Sequence, residues 1–149
     1  MARIHDNIIS ALNGMTVSGE TVTADYERYY LNIDGRYPYI EVLGPYCENE
    51  VEIDSTMDTK VEFAIKYYLD VNDESATADT EVTYIMRNVS KDIIKQVMLD
   101  QQRNSLAEYT EVTDYGLAFE VIDNQVVYFV YVIVEVQALI NPDNPYLAG

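Results

Sequence analysis

The stretch VVYFVYVIVEVQAL, residues 126–139, decides the fold. It is rich in β-branched and aromatic residues, and it is shorter than the roughly 20 residues that a transmembrane helix needs. Because both of its faces are apolar for most of its length, we predict a strand in the interior of a sheet, covered on both sides. At about 3.3 Å per residue it would extend roughly 45 Å, so part of it is expected to leave the domain or to bend.

Further strands are predicted upstream. Residues 37–43 are β-prone and are expected to end at Gly44-Pro45. Because Pro38 cannot donate a ladder hydrogen bond, this strand should begin at Tyr39 or lie at an edge. Residues 61–69 alternate between apolar and polar side chains, which predicts one buried and one mostly wet face. Before residues 126–139, two further strands are predicted at residues 109–112 and 117–122, followed by a turn at Asp123-Asn124.

Two helices are predicted. A short N-terminal helix is indicated by apolar residues at helical spacing before Gly14, namely Ile4, Ile8, Ile9 and Leu12. A long helix is expected from roughly residue 79 to residue 103, with Thr77 or Asp79 as its cap. It has one apolar stripe, formed by Val82, Ile85, Met86, Val89, Ile93 and Val97.

These elements predict one α+β domain over residues 1–149, with a mixed, mostly antiparallel β-sheet flanked by the short N-terminal helix and the long helix. Residues 15–32 mix Thr, Val and Tyr with charges, and we expect a loop or marginal hairpin that adds little to the core. Residues 72–75 are expected to form a turn. From about residue 140 an extended tail is expected, because Pro142 and Pro145 fit neither regular element.

Composition narrows the classes of function. The formal net charge is −17, from 26 acidic and 9 basic residues, so direct binding to nucleic acid or to an anionic membrane is not expected. The N-terminus lacks the long apolar run of a secretory signal, and we expect the chain to fold inside the cell. With one Cys and one His, neither an intrachain disulfide nor a cage of several thiolates or imidazoles can form.

The basic residues are unevenly placed. Arg87, Lys91 and Lys95 follow each other at i,i+4 spacing on the far side of the long helix, whereas residues 104–149 carry only acidic charges. One interpretation is the solvated face of a helix whose other face is core. The other is one side of a subunit contact, in which the acidic C-terminal hairpin of a neighbouring copy supplies the other side.

No pattern predicts catalysis or a cofactor. His5 and Cys47 could form a nucleophile–base pair only formally, and we expect a solvated His5 and a Cys47 in the core. Calcium-loop spacing occurs at Asp70, Asn72, Glu74 and Glu81, but Ser75 stands where the sharp turn needs Gly. Carboxylates are too abundant to single out a catalytic pair, and no Gly-rich phosphate loop occurs. We therefore expect neither an enzyme, a metal site nor a bound cofactor.

Tyrosine is abundant, with 14 residues against 3 Phe and no Trp. Tyr suits surfaces that are wet in a monomer and buried in an assembly, but it also serves as a large core residue. Both interpretations stay open for two clusters, Tyr26-Tyr29-Tyr30 and Tyr37-Tyr39. A core position is expected for the two others, Tyr67-Tyr68 and Tyr128-Tyr131.

The order of these elements resembles the tail terminator (tail completion) proteins of long-tailed bacteriophages. The features that carry the resemblance are residues 4–12, 39–45, 61–69, the helix from Asp79, and residues 126–138 followed by Pro142-Asp143. The resemblance implies a ring, commonly of six subunits, that caps the finished tail tube and docks it to the head connector. It implies no catalytic or cofactor residues. Residues 15–32 match no feature of that family.

Expected partners are therefore other copies of the chain, the tail tube protein, and a head connector or neck protein, without direct nucleic acid or membrane contact. The expected location is the tail or neck of the virion, and the host cytoplasm during assembly. Two alternatives remain open: another phage neck, tail or head-tail joining component, and a small-ligand-binding or hydrolytic domain with its sheet curled around a pocket.

Overall fold

The computed structural model of the chain describes residues 2–17, 19–26, 38–53, 56–69, 79–104, 106–122 and 124–140. The elements in chain order are α1 (Ala2–Leu12), β1 (Thr16–Val17), β2 (Glu20–Thr21), β3 (Thr23–Tyr26), β4 (Tyr39–Ile53), β5 (Thr56–Tyr68), α2 (Asp79–Met98), β6 (Ala107–Ile122) and β7 (Gln125–Ile140). The fold is α+β, with a mostly antiparallel five-stranded sheet, a short N-terminal helix and a longer helix, as predicted.

The main sheet has the strand order β3-β4-β5-β7-β6. β3 runs parallel to β4, and every other neighbouring pair is antiparallel. β7 pairs with β6 from Gln125 to Ala138 and with β5 from Phe129 to Ile140, so the prediction of an interior strand is confirmed for most of residues 126–139.

The main hydrophobic core lies between one face of this sheet and the two helices, and a smaller buried cluster on the other face consists of Tyr39, Tyr68, Val127 and Phe129. The helices and the sheet each contribute an apolar stripe to the main core: Ile4, Ile8 and Leu12 from α1, Val89, Ile93 and Val97 from α2, Val61, Phe63 and Ile65 from β5, and Val130, Val132, Val134 and Val136 from β7. Burying such a side chain contributes about 1.5–3 kcal/mol relative to leaving it in water, so the periodicity of these segments directly determines the layering.

The expectation that residues 15–32 add little to the core is wrong. Met15, Val17, Val22 and Ala24 are all buried and belong to the core. Met15 and Val22 hold the segment together, because Val22 N–H donates to Met15 O at 2.8 Å. Short β-strands and bends bring alternate residues inward. Such segments lack the long periodic run of apolar residues from which a buried element can be predicted. Residues 27–32 lie outside the described ranges.

β4 begins at Tyr39, as predicted, but it does not end at Gly44-Pro45. Its pairing with β5 shifts register between Leu43 and Tyr46 and then continues to Ile53. Its first residues, 39–42, lie between β3 and β5, and beyond them β4 pairs with β5 alone among the described strands. A Gly-Pro pair can therefore be absorbed as an irregularity of a longer strand. β6 is likewise one strand with two register shifts, where two separate strands were expected.

The long helix ends at Met98, earlier than the predicted end near residue 103. Arg103 instead occupies a turn with φ +48° and is fully buried. Its guanidinium donates to Val97 O and Asp100 O and so satisfies carbonyls at the end of the helix. Asp79 is the first helical residue rather than a preceding cap, while Thr77, the turn at 72–75 and the tail after residue 140 lie outside the described ranges.

Candidate functional surfaces

The outer face of α2 carries the predicted basic residues. Arg87, Lys91 and Lys95 are exposed, on the side opposite the buried stripe of the helix. Within the described ranges none of them forms an ion pair with an acidic side chain. We call these three residues the basic stripe. Two large apolar side chains are also exposed nearby, Tyr84 on α2 at 69% and Leu99, the residue after the end of α2, at 72%.

The β6–β7 hairpin projects beyond the rest of the sheet. The pairing of β5 with β7 ends at Tyr68 and Phe129, followed by one hydrogen bond from Leu69 N–H to Tyr128 O. Nearer the turn, β7 pairs with β6 alone among the described strands. The prediction that part of the 126–139 strand leaves the domain agrees with this two-stranded projection.

Four apolar side chains at the tip of this hairpin are exposed. Phe119 and Val121 on β6 are 63% and 65% exposed, and Val126 and Tyr128 on β7 are 46% and 39% exposed. They lie on the same side of the ribbon, since Phe119 is paired with Tyr128 and Val121 with Val126. The Phe119 and Tyr128 ring centroids are 6.0 Å apart. We call these four residues the hairpin patch.

The hairpin patch corrects one prediction about tyrosines. Tyr128 was expected in the core and is exposed, because the ribbon at this point extends past the helices that bury Val130. Tyr67 and Tyr68 are buried as predicted, and Tyr131 is half-buried. Of the clusters left open, Tyr39 is fully buried and Tyr26 is 46% exposed, whereas Tyr29, Tyr30 and Tyr37 lie outside the described ranges.

The sheet face turned away from the helices, the open face, carries a row of three glutamates. Glu62 on β5 and Glu111 on β6 are each paired directly with Glu135 on β7. Lys60 Nζ lies 3.9 Å from Glu135 Oε1. We call these three carboxylates the glutamate row. No sequence pattern predicts the row, because only strand register shows that residues so distant in the chain are neighbours.

A polar network joins three strands at the other end of the open face. Tyr68 on β5 donates through its hydroxyl to Glu120 Oε1 on β6 at 2.9 Å, and the same hydroxyl lies 3.3 Å from Glu41 Oε1 on β4. Lys66 Nζ is 3.8 Å from Glu120 Oε2 and 4.6 Å from the centroid of the Phe129 ring. Burial, together with the charges of Glu41 and Glu120, raises the pKa of Tyr68 far above its usual value. The phenol therefore stays protonated and donates.

Alkaline pH is expected to destabilise the fold through the two neighbouring tyrosines. Burial, followed by the charge of Glu20, raises the pKa of Tyr67 from 10.0 to about 12, and the pKa of Tyr68 is raised as well. A raised folded-state pKa contributes stability that is complete below the unfolded value of about 10 and is lost as pH rises towards the folded value. Urea midpoints at pH 8 to 11.5 should therefore fall above pH 10.

The matched variants for this pH dependence are Tyr67→Phe and Tyr68→Phe, each of which should flatten the decline. Tyr115→Phe is the control, because Tyr115 is 53% exposed. A urea midpoint that stays constant between pH 8 and pH 11.5 in the unaltered protein would contradict raised pKa values for Tyr67 and Tyr68.

His5 is a buried contact rather than the solvated side chain that was expected. It is 8% exposed, and its Nε2–H donates to Val42 O at 2.7 Å. Its ring packs edge-on against Tyr26, with centroids 4.8 Å apart. The side chain lies inward because α1 packs against β4. The side chain of Cys47 lies outside the described part of the structure, as do Asp70, Asn72, Glu74 and the side chain of Glu81.

Comparison with protein-family models and with curated proteins finds no match for this chain. Among the described residues, neither helix is long and apolar enough to cross a membrane. In the same ranges, no group of three or more His, Cys, Asp and Glu residues is placed to hold a metal ion.

Proposed function

We propose that this protein is a structural virion protein, a phage tail terminator that forms a ring, caps the tail tube and joins it to the head connector. The observation that supports this proposal most is the hairpin patch, because it presents apolar area on a projecting element. Large contiguous apolar surfaces on soluble proteins mark sites of interaction with other macromolecules. Function in this proposal lies in contacts between proteins rather than in catalysis.

The charge distribution supports an assembly role in a second way. The net charge of −17 opposes unspecific association of copies, so any contact between them needs local complementarity. The basic stripe and the acidic C-terminal hairpin provide surfaces of opposite sign on one molecule. A contact that uses two different surfaces is heterologous, and it closes into a ring when the rotation between neighbours allows it.

The hairpin patch is expected to be needed for binding to tail tubes. The variant Phe119→Ser/Val121→Ser removes most of the apolar area from β6 in the patch, and we expect it to abolish binding to purified tubes while leaving the fold intact. Light scattering on the protein alone and with tubes, together with electron micrographs of the mixture, measures both steps. Circular dichroism checks the fold.

Tyr115→Ser is the matched control, since Tyr115 is 53% exposed on the same strand but lies away from the hairpin tip. It should bind tubes like the unaltered protein. A chain that stays monomeric with tubes present would count strongly against the proposal. Micrographs that show binding to head connectors, but not to tube ends, would favour another neck component.

A further inference from the structure

We infer that copies of this chain associate head to tail, with the basic stripe of one copy lying across the glutamate row of the next. The inference rests on the proposed assembly function and names the surfaces that would form the contact between identical subunits.

The glutamate row concentrates negative charge on one part of the sheet. Glu62, Glu135 and Glu111 occupy three adjacent strands in direct register and therefore share one face. Adjacent strands lie about 4.8 Å apart, so the outer two carboxylates are about 10 Å apart at their backbones. Like charges directly opposite each other destabilise a sheet. The exposed Glu111 and Asp114 keep this part of the face acidic, so a cationic partner seated on it would meet complementary charge.

The basic stripe matches the row in number and spacing. Successive members of an i,i+4 series on an α-helix are separated by about 6 Å along the axis, so Arg87 and Lys95 are about 12 Å apart. The row spans about 10 Å across the strands. A helix that crosses the strands of a neighbouring copy at a steep angle would therefore place each cation near one carboxylate.

Neighbouring side chains on both surfaces are compatible with this contact. Asp114 on β6 is exposed next to the row and adds a fourth carboxylate, and Lys60 Nζ lies 3.9 Å from Glu135 Oε1. Ile133 lies half-buried between the row and the polar network, which leaves apolar area on the open face. On the neighbouring copy, the exposed Tyr84 on α2 and Leu99 just after the end of α2 add apolar area to the surface that would cover it.

The two surfaces lie on opposite sides of the molecule. The stripe is on the outer side of the helical layer, and the row is on the sheet face away from that layer. One copy can therefore engage two neighbours at once, through different surfaces. Such heterologous contacts build rings or open filaments, and each would cover the open face of a subunit with a helix from the next.

Charge reversal on each surface tests the contact. The helix variant is Arg87→Glu/Lys91→Glu/Lys95→Glu, and the sheet variant is Glu111→Lys/Asp114→Lys, whose two sites are exposed. Each alone should weaken self-association on the order of 100-fold, as expected when several close charge pairs become repulsive. Sedimentation velocity over a range of concentrations measures it. The control Asp6→Lys/Glu20→Lys makes the same change in net charge as the sheet variant, at exposed positions on α1 and β2, and should leave the oligomer intact.

Combining the reversals gives the decisive outcome. A chain that carries both sets of substitutions, or an equimolar mixture of the helix and sheet variants, places the new glutamates of α2 opposite the two new lysines of β6 and should recover self-association. Oligomers of the unaltered chain that persist in both single variants would overturn the inference while leaving the proposed function standing. A chain that is monomeric alone but binds tube ends would also overturn the inference and not the function. Failure to recover the oligomer in the combined chain, with its fold intact, would overturn it as well.

Discussion

Replacing Gly44 with alanine is expected to destabilise the protein by about 3 kcal/mol, the sum of a backbone cost and an overpacking cost. Gly44 has φ +127°, a region that residues with a side chain rarely adopt. A Cβ there would lie 2.8 Å from Glu62 O and 3.0 Å from Phe63 Cδ1. Because the first of these atoms belongs to the backbone of β5, the neighbour cannot rotate away, and the strain of overpacking adds to the cost of the backbone conformation. The free energy of unfolding in urea measures the effect.

Gly14→Ala is the matched control for Gly44. Gly14 also has a positive φ, +86°, but a Cβ at this position would meet nothing within 4 Å. The substitution therefore isolates the conformational cost, about 1–2 kcal/mol. Equal losses at both positions would show that the close approach of β4 to β5 at Gly44 is not as tight as described.

Phe63→Ala is expected to cost about 3–5 kcal/mol, which is a large fraction of the stability of a domain of this size. Phe63 is fully buried in the core on β5, and its ring centroid is 5.3 Å from that of His5 on α1. Truncation would leave a cavity where the sheet packs against the N-terminal helix. Thermal and urea unfolding should both show the loss, and a marginal domain would be unfolded at 37 °C.

Phe119→Ala removes the same atoms from an exposed position and serves as the control for Phe63. Phe119 is 63% exposed in the hairpin patch, so the cost in stability is expected to stay within about 0.5 kcal/mol. A large loss at Phe119 would mean that the patch belongs to the core of the monomer. A small loss of stability would agree with a Phe119 side chain that contacts another molecule.

The role of the open face links stability to assembly. In the described part of the chain, helices cover one face of the sheet, while Ile133 and Glu135 on the other face remain partly exposed. The prediction that the 126–139 strand is covered on both sides therefore does not hold along its whole length within the described monomer. An apolar strand with one face partly exposed agrees with a surface that is completed by a second molecule.

The sequence by itself determined the elements whose side chains repeat regularly. Helical spacing from Ile4 to Leu12 predicted α1, alternation in residues 61–69 predicted β5, and the apolar run at 126–139 predicted an interior strand. The position of the basic stripe on the outer side of α2 followed from the same periodicity. These features are local, because the buried side chains of a single segment recur every 3.6 residues in a helix and every 2 residues in a strand.

Only the tertiary structure decided which strands are neighbours and how much of the sheet the helices cover. The glutamate row joins Glu62 to Glu111 through Glu135, and no spacing along the chain relates these residues. Tyr128 and Val130 belong to the same alternating strand, yet one is exposed and the other buried, because the helices cover only the second. Strand register and the reach of a covering helix depend on non-local packing, and therefore surfaces formed between distant segments appear only in the folded chain.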